Sequence, residues 1–346
     1  MRILVVKTSS LGDVIHTLPA LTDAMRALPF ATFDWAVEEA FAAVPGWHPA
    51  VNEVIPVALR RWRKSAVASL FGSEWRECKR RLRENHYDCV IDAQGLLKSA
   101  WIARHARVPI YGLDRDSARE PAAAWFYRYK FNVPWDLHAV ERVRSLFSQA
   151  LGYPLPTTRG DYGLDKNFFV DIVPRERRVL FLHGTTRAEK HWPEVYWQQL
   201  CAQVNAAGFR VLLPWGNEVE HARAQRIAAN AHDAQVLPRM NLSQLAGEIA
   251  TCVAVVTVDT GLGHLTAALD VPAVALYGPT DPAKIGTYGL HQTHLRAADY
   301  EPKGENRNAI EKAKVNVVTD PPIMAPLTPA IVWNALQPLL THTGQQ

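Results

Sequence analysis

The sequence predicts an α/β protein with two domains, each a parallel sheet covered by helices on both faces. Short apolar runs rich in β-branched residues alternate with helical patterns, and the alternation starts again near residue 178. The 346 residues are also long for one core, and they suit two domains of about 150 residues each. Gly152 to Asp165, with three glycines and two prolines, separates the two series and is predicted to be the linker.

The same patterns place the elements along each half. In the first half we predict strands and helices, in chain order, at Arg2–Val6, Gly12–Leu28 (helix), Phe33–Val37, Glu53–Val57, Trp75–Asn85 (helix) and Asp88–Asp92. In the second half we predict Arg178–Leu182, Glu194–Ala207 (helix), Arg210–Pro214, Asn217–Asn230 (helix), Val255–Val258 and Ala273–Tyr277. Residues 278–322 are polar and are predicted to be rich in loops. Thr328 and Pro329 suit an N-cap and a first helical position, which predicts a last helix to about Leu340.

The most informative segment runs from Val255 to Leu269. A β-branched strand ends in Asp259-Thr260, passes through two glycines and opens a helix of small residues. Such a turn exposes backbone N–H groups and the positive end of a helix dipole, where an anion can bind. Asp259 and His264 flank the glycines, so we expect a carboxylate and an imidazole at the same spot. The segment is typical of a turn that binds a sugar phosphate.

Positive charge is concentrated in the first half. The net charge is +4, but residues 54–113 alone hold 12 basic and 5 acidic side chains. The densest runs are Arg60-Arg61-Trp62-Arg63-Lys64 and Lys79-Arg80-Arg81-Leu82-Arg83. Each run is either a solvated helix face or a surface for a polyanion, such as nucleic acid, anionic lipid or an acidic saccharide. Trp62 and Leu70-Phe71 suit a membrane interface.

Composition excludes several classes of protein. The longest apolar runs are too short to cross a bilayer, and the first apolar run reaches polar Lys7 too soon for a signal peptide. The four cysteines show no CxxC spacing. We therefore expect neither a disulfide framework nor a zinc site, and a reducing cytoplasm fits.

Two further loops carry candidate chemistry. The loop from Lys7 to His16 follows the first strand but has neither GxGxxG nor GxxxxGK[ST]. Asp13, at the start of the helix, is either a capping residue or a general base that takes a proton from a substrate hydroxyl. In the second half, Gly184 lets the backbone approach a ligand and Lys190 supplies a cation for a phosphate. Glu220, early in the next helix, is a candidate for ribose hydroxyls.

Three motifs together resemble the lipopolysaccharide heptosyltransferases. They are Lys7 to Pro19, Gly184-Thr185-Thr186 through Lys190 to Trp192-Pro193, and Asp259-Thr260-Gly261 to His264 with Tyr277-Gly278-Pro279-Thr280. The likeness extends to about residue 290 and is greatest to the members that add the first heptose of the inner core. It implies a GT-B fold of two facing Rossmann-like domains, at residues 1–160 and 161–327, with a last helix at 328–346 that crosses back to the first.

The resemblance also implies an activity. The reaction would be an inverting transfer of L-glycero-D-manno-heptose from ADP-heptose to a Kdo residue of Kdo2-lipid A, in lipopolysaccharide inner-core biosynthesis. The protein would be attached peripherally to the anionic cytoplasmic face of the inner membrane, with no nucleic acid as partner. No cofactor or metal is expected, because Lys190 and helix N-termini can neutralise the departing diphosphate.

Family roles fall on matching positions of this sequence. Asp13 would be the general base on the acceptor hydroxyl, and Lys190 would stabilise the leaving ADP. The implied donor-binding residues are Thr185, Thr186, Lys190, Glu220 (ribose), Met240 (adenine), Asp259 (heptose hydroxyls), Thr260, Gly261 and His264 (sugar phosphate). The implied acceptor-binding residues are Ser10, Gly12, Arg60, Arg61, Arg63 and Lys64.

Three alternatives stay open from the sequence. Heptosyltransferase II uses the same donor with a heptose-bearing acceptor. A nucleotide-sugar epimerase of the same fold would place acid–base pairs around the donor sugar and would need no basic acceptor face. A non-enzymatic nucleotide- or lipid-binding protein would use Asp13 only as a cap. A nicotinamide dehydrogenase is not expected, because Gly261-Leu262-Gly263 lacks the third glycine and the later acidic residue of that fingerprint. Residues 287–326 depart from the family pattern and are given no role.

Overall fold

The chain divides into two compact α/β units, Met1–Leu164 and Asp165–Gln346. The computed structural model describes residues 1–64, 72–169, 177–300 and 322–341. Within these residues each unit contains one six-stranded sheet, and every pair of neighbouring strands is parallel. The predicted α/β class with parallel sheets is therefore confirmed. The division after Leu164 lies in the segment predicted to be the linker.

The first unit begins with β1 and ends shortly after a long helix. Its strands β1 to β6 are Arg2–Val6, Thr32–Glu38, Val51–Val57, Cys89–Asp92, Ile110–Leu113 and Tyr129–Phe131. Its helices α1 to α7 are Leu11–Ile15, Leu18–Ala27, Ala43–Gly46, Leu59–Lys64, Ser73–Glu84, Leu97–Ala103 and Ala139–Leu151. The strand order across the sheet is β3-β2-β1-β4-β5-β6.

The second unit repeats this plan. Its strands β7 to β12 are Arg178–Leu182, Arg210–Leu213, Ala234–Val236, Ala254–Val258, Ala273–Tyr277 and Gln292–Arg296. Its helices α8 to α13 are Glu194–Ala206, Glu218–Ala228, Leu242–Thr251, Gly261–Ala268, Pro282–Ile285 and Pro329–Thr341. The strand order is β12-β11-β10-β7-β8-β9.

The central strands are apolar because helices cover both faces of each sheet. Ile3 to Val6 of β1 and Ala254 to Val256 of β10 are fully buried. In the second unit, α13 begins at Pro329 as predicted, and its Val332 and Leu336 lie in the same core as Trp197. That α13 crosses back to the first half stays a prediction.

Both sheets have one topological switch point, where the direction of winding reverses. It lies between β1 and β4 in the first sheet and between β7 and β10 in the second. Open α/β sheets bind ligands at the carboxyl ends of the strands beside such a point. The loops after β1, β7 and β10 are the three that carry the motifs of the sequence, so the topology directs attention to the same places.

One helix predicted from the sequence is divided into two helices in the structure. The prediction of a continuous helix over Gly12–Leu28 is wrong, because α1 ends at Ile15 and α2 begins at Leu18. Pro19 explains the break: its ring cannot follow a helical turn, but it fits the first turn of a new helix, where no N–H is needed. The restart leaves α1 as a short helix that holds Asp13.

Four strands were not predicted: β5, β6, β9 and β12. Three of them are sheet edges, where one side faces solvent and the apolar pattern is weak. In β12 only Leu295 is buried, so the expectation of loops over residues 278–322 is wrong for this strand and for the short helix α12. Residues 301–321 lie outside the described residues.

Candidate functional site

In the first unit, Asp13 lies in the first turn of α1, directly after β1. Its Oδ2 accepts hydrogen bonds from Ser10 N at 2.8 Å and Ser10 Oγ at 2.9 Å. The bond from Ser10 N to the side chain three residues later is the one that a capping box makes, and it fixes the carboxylate against the helix start. Oδ1 lies 3.9 Å from Lys7 Nζ and accepts no hydrogen bond from the described residues. One oxygen of the carboxylate is thus held in place and the other is available to a ligand.

Lys7 is the cation behind Asp13. It is 7% exposed, and its Nζ donates to Ala93 O at 2.8 Å, at the end of β4. Burial lowers the pKa of Lys7 by more than Asp13 and Asp92 raise it. Burial raises the pKa of Asp13, but the charge of Lys7 and the bonds from Ser10 outweigh it, and the pKa lies below the ordinary aspartate value. Asp13 is therefore ionised at neutral pH, as a general base must be.

Side chains at the end of β4 hold the loop that carries Asp13. Gln94 Oε1 accepts from Thr8 N at 2.9 Å and Ser9 N at 3.1 Å, and its Nε2 donates to Ser9 O at 2.6 Å. Asp92 is fully buried and accepts from Tyr127 OH at 2.8 Å. The sequence analysis missed Lys7, Gln94 and Asp92 as parts of the site. The available signal was a charged residue at the end of each of two buried strands, since Lys7 directly follows β1 and Asp92 is the last residue of β4.

The predicted acceptor-binding arginines have unequal surroundings. Arg60 N donates to Glu38 Oε1 at 3.2 Å, and Glu38 N donates to Thr8 O at 3.1 Å, which ties Arg60 to the sheet edge of the Asp13 loop. Arg61 instead pairs with Glu39 and Glu74, each at 2.9 Å, so its charge is already neutralised. Ser10 is exposed and Gly12 is buried in α1. The side chains of Arg63 and Lys64, and Leu70-Phe71 as a whole, lie outside the described part of the chain.

In the second unit, Lys190 and Asp259 come together at the switch point of the sheet. Lys190 ends a short 3₁₀ helix after β7, and Asp259 follows β10. Lys190 Nζ lies 2.6 Å from Asp259 Oδ2, and the side chains are 15% and 9% exposed. Thr280 Oγ1 donates to the same Oδ2 at 2.5 Å, and Thr185 Oγ1 donates to Asp259 O at 3.1 Å. The prediction that the Lys190 loop lies beside the Asp259 turn is confirmed.

The helix after Asp259 begins with its first backbone N–H groups uncapped. The N-cap is Thr260, whose side chain makes no capping hydrogen bond, and α11 starts at Gly261. A Cβ on Gly263 would lie 3.0 Å from Thr257 Oγ1, so the helix start is packed closely on the strand. Gly263 N donates to Thr260 O at 3.1 Å, whereas Gly261 N and Leu262 N have no hydrogen-bond partner among the described residues. These two N–H groups and the helix dipole provide an anion site beside Lys190. His264 is buried, at 7% exposure, in this helix.

Glu220 is packed against the loop after β7. Its Oε2 accepts from Gly216 N at 2.8 Å, and its own N donates to the Asn217 cap at 3.0 Å. A Cβ on Gly184 would lie 2.8 Å from the Glu220 carboxyl carbon, so a larger residue there would force the carboxylate to move away. The sequence analysis explained Gly184 by a ligand, and the structure adds this second reason. Met240 is partly exposed in the loop after β9, and Thr186 is exposed.

Neither a metal-binding cluster nor a membrane-spanning helix is found in the described part of the chain. Over residues 1–64, 72–169, 177–300 and 322–341, no group of three or more His, Cys, Asp or Glu side chains is placed to hold a metal ion. No helix in these ranges has the length and apolar character needed to cross a membrane.

Comparison with known proteins gives consistent matches over most of the chain. The family model for glycosyltransferase family 9 (heptosyltransferase) matches residues 75–314. Lipopolysaccharide heptosyltransferase 1 of Pseudomonas aeruginosa is 55% identical over 323 residues, which cover 90% of this chain and 91% of that protein. Lipopolysaccharide heptosyltransferase 2 of Salmonella typhimurium is 29% identical, over 82% of this chain and 84% of that protein.

Solved structures of one relative match the whole fold. The E. coli heptosyltransferase WaaC with ADP has a TM-score of 0.86 at 44% identity, and the match covers 99% of this chain and 100% of that one. WaaC with ADP-2-deoxy-2-fluoro heptose gives 0.85 at the same identity, over 98% and 99%. These matches confirm the predicted GT-B class. Because a relative is 55% identical over 90% of this chain, the chain belongs to glycosyltransferase family 9, the heptosyltransferases.

Proposed function

We propose that this heptosyltransferase moves L-glycero-D-manno-heptose from ADP-heptose to a Kdo residue of Kdo2-lipid A, with inversion at the anomeric carbon. The observation that carries the proposal is the different chemistry at the two switch points. The first has a carboxylate with one oxygen free, and the second has a cation beside uncapped helix N–H groups. A proton acceptor suits a sugar hydroxyl, and an anion site suits a nucleoside diphosphate.

On the acceptor side, Asp13 acts as the general base. The Kdo hydroxyl oxygen forms a bond to the anomeric carbon of heptose, and its proton passes to Asp13 Oδ1, the oxygen without a described hydrogen bond. Ser10 holds Oδ2, so the carboxylate cannot turn away from this task. The low pKa of Asp13 makes it a weak base, so we expect it to accept the proton as the new bond forms rather than before.

On the donor side, the bond from the anomeric carbon to the phosphate oxygen breaks and negative charge collects on ADP. Lys190 and the start of α11 stabilise that charge, helped by the hydroxyls of Thr185 and Thr186. We assign the ribose to Glu220 and the adenine to Met240. The remaining donor contacts are the heptose hydroxyls with Asp259, and the sugar phosphate with Thr260, Gly261 and His264.

The acceptor is a lipid, so the enzyme works at a membrane. We propose peripheral attachment to the anionic cytoplasmic face of the inner membrane, with Ser10, Gly12 and the Arg60 region on the acceptor side. Arg60 supports this placement through Glu38 and Thr8, which belong to the same sheet edge as Asp13. Arg61, Arg63 and Lys64 remain assigned to the anionic acceptor by resemblance.

The test is transfer by the purified protein. ADP-heptose and Kdo2-lipid A are incubated with the protein, and the product is examined by mass spectrometry for one added heptose, with Asp13→Asn as the matched inactive control. One addition by the unchanged protein alone supports the proposal. Transfer only to an acceptor that already carries heptose would instead make the protein a heptosyltransferase II. Conversion of the donor sugar without transfer would point to an epimerase.

A further inference from the structure

One surface of the first unit has basic side chains that form no ion pair with the described residues. On α5, Arg80 pairs with Glu77 and Glu84, and Arg81 pairs with Glu53 at 2.5 Å. Lys79 and Arg83, four residues apart on the same helix, have no carboxylate within 4.0 Å among the described residues. Like charges at this spacing repel. The acidic residues of this helix are therefore engaged elsewhere: Glu77 and Glu84 pair with Arg80, and Glu74 pairs with Arg61.

Arg104 joins the pair from a neighbouring element. It begins the short 3₁₀ helix Arg104–Ala106, which follows α6 and packs against α5. His105 lies within the field of all three cations: burial lowers its pKa, and the charges of Arg83, Arg104 and Lys79 act in the same direction. His105 Nδ1 lies 2.8 Å from the carbonyl oxygen of Trp101. The three cations therefore form one cluster around a neutral imidazole.

Aromatic rings pack against His105 and lie under Lys79. Trp75 and Trp101 are stacked with centroids 4.6 Å apart, and His105 lies 5.0 Å from each. Trp62 packs edge-on against Trp75 at 5.3 Å, and Lys79 Nζ lies 5.4 Å from the centroid of Trp75. Trp62 and Trp101 are partly exposed. Lys79 lies over the buried indole of Trp75, and the partly exposed Trp62 and Trp101 pack against that ring. Basic side chains next to partly exposed indoles have the composition of a protein surface at lipid headgroups, where the amphipathic ring suits the boundary between water and acyl chain.

We propose that Lys79, Arg83 and Arg104, together with the neighbouring Trp75–Trp101 stack, form a docking surface for anionic lipid headgroups that places the enzyme on the bilayer. We refer to these residues as the basic platform. The proposal rests on the proposed function in one respect, namely that the acceptor is a membrane lipid. Charge complementarity selects the occupant: a bilayer offers many anionic groups at once, which three cations without counterions can share. The indoles favour lipid over a purely ionic partner.

The platform differs from the sequence expectation for these runs. In the sequence, Lys79-Arg80-Arg81-Leu82-Arg83 forms one basic run. The structure divides it, because Arg80 and Arg81 are neutralised within the unit while Lys79 and Arg83 join Arg104 from a different element. Only the second group is available to an external polyanion.

The test compares two triple variants of the full chain. The platform variant is Lys79→Gln/Arg83→Gln/Arg104→Gln. The control is Arg80→Gln/Arg210→Gln/Arg226→Gln, which removes the same charge from arginines that are exposed and already paired with carboxylates. Partition onto sucrose-loaded vesicles of phosphatidylcholine with about 30 mol% phosphatidylglycerol is measured by sedimentation at 0.1 M salt. Thermal unfolding of both variants checks that they are folded.

We expect the platform variant to lose about a hundredfold in vesicle partition, since each basic residue near an anionic surface contributes about fivefold. The control should stay within about threefold of the unchanged protein. Equal losses in the two variants, or no loss in the platform variant, would overturn the proposal. The proposal would also be overturned if the platform variant lost binding to duplex DNA while its vesicle partition stayed unchanged, because the surface would then bind nucleic acid.

Transfer to a deacylated, water-soluble acceptor separates this proposal from the proposed function. The platform variant should retain that activity, because none of its three residues belongs to the Asp13 or Lys190 site. If the unchanged protein transfers heptose to no acceptor, the proposed function fails. The vesicle measurement still decides whether the basic platform binds anionic lipid. If the platform variant alone loses activity on the soluble acceptor, the residues act on the acceptor itself and the docking role is overturned.

Discussion

Asp259→Asn should tighten the binding of ADP, although it changes a residue of the donor site. In the protein without ligand, Asp259 is the counterion of Lys190, at 2.6 Å. A diphosphate that binds Lys190 must share that cation with the carboxylate and must tolerate its negative charge. Asparagine keeps an oxygen for the Thr280 hydroxyl, which donates to this side chain at 2.5 Å. The substitution therefore removes charge with little change in shape.

The magnitude follows from the geometry. A phosphate bonded to Lys190 would lie about 5 Å from the Asp259 carboxylate, given ordinary hydrogen-bond lengths. Two like charges at that separation repel by about 3 kcal/mol at an effective dielectric constant of about 20. The site opens to water, because Lys190 is 15% exposed, so about half of this repulsion is a reasonable expectation. About 1.5 kcal/mol corresponds to roughly tenfold tighter binding of ADP.

The heptose half of the donor should respond in the opposite direction. Asp259 is proposed to hold heptose hydroxyls, and a hydrogen bond to a charged group contributes about 1.5–3 kcal/mol. ADP-heptose should therefore bind Asp259→Asn no more tightly than it binds the unchanged protein, while ADP binds more tightly. Titration calorimetry with both ligands measures the two effects, with Asp13→Asn as a control that should leave ADP affinity unchanged. Unchanged or weaker binding of ADP to Asp259→Asn would refute the view that Asp259 competes with the diphosphate for Lys190.

Four further changes probe the two sites separately. Asp13→Asn should abolish transfer while ADP-heptose affinity changes little, since the residue acts on the acceptor; a parallel loss of donor binding in calorimetry would contradict this. Lys7→Met should move the acidic limb of the kcat/KM profile to higher pH, because burial raises the pKa of Asp13 and the charge of Lys7 opposes it; an unmoved limb would remove Lys7 from this role. Lys190→Ala should weaken ADP binding by about tenfold or more, as expected for loss of a charged hydrogen bond, and equal affinity would place the diphosphate elsewhere. Thr280→Val should raise the KM for ADP-heptose about fivefold to thirtyfold with ADP affinity unchanged, because one hydrogen bond to Asp259 is lost, and Thr280→Ser should restore it; a fall in ADP affinity as well would mean a general disturbance of the turn.

Much of the fold could be predicted because buried parallel strands are apolar on both faces. Arg178–Leu182 and Ala273–Tyr277 have the predicted bounds, and so does Arg2–Val6. The edge strands could not be predicted in this way, since Gln292–Arg296 buries one side chain and reads as a polar loop. Pro19 was sufficient to predict the helix break before α2. The break was missed because the apolar pattern continues on both sides of it.

The candidate site could be predicted where the functional groups lie in the loops that follow the central strands. Asp259 and Lys190 follow β10 and β7, so the parallel topology alone brings their loops to one sheet edge. Thr280 and Gln94 could not be assigned from the sequence, because their roles depend on which side chain they contact. The role of Thr280 follows only from the structure, in which its hydroxyl donates to Asp259. Spacing along the chain carries no information about such a pairing.

The structure also changes how the two interpretations of Asp13 relate to each other. The sequence presents a choice between a helix cap and a general base, as though one role excluded the other. In the folded unit Oδ2 is the cap, bonded to Ser10, and Oδ1 faces Lys7 without a described hydrogen bond. The cap is what orients the base: it fixes the carboxylate, lowers its pKa and leaves one oxygen for a ligand proton. Ser10→Ala, which removes one bond to Oδ2 and keeps the backbone bond, should therefore reduce kcat without altering the stability of the fold beyond about 1 kcal/mol.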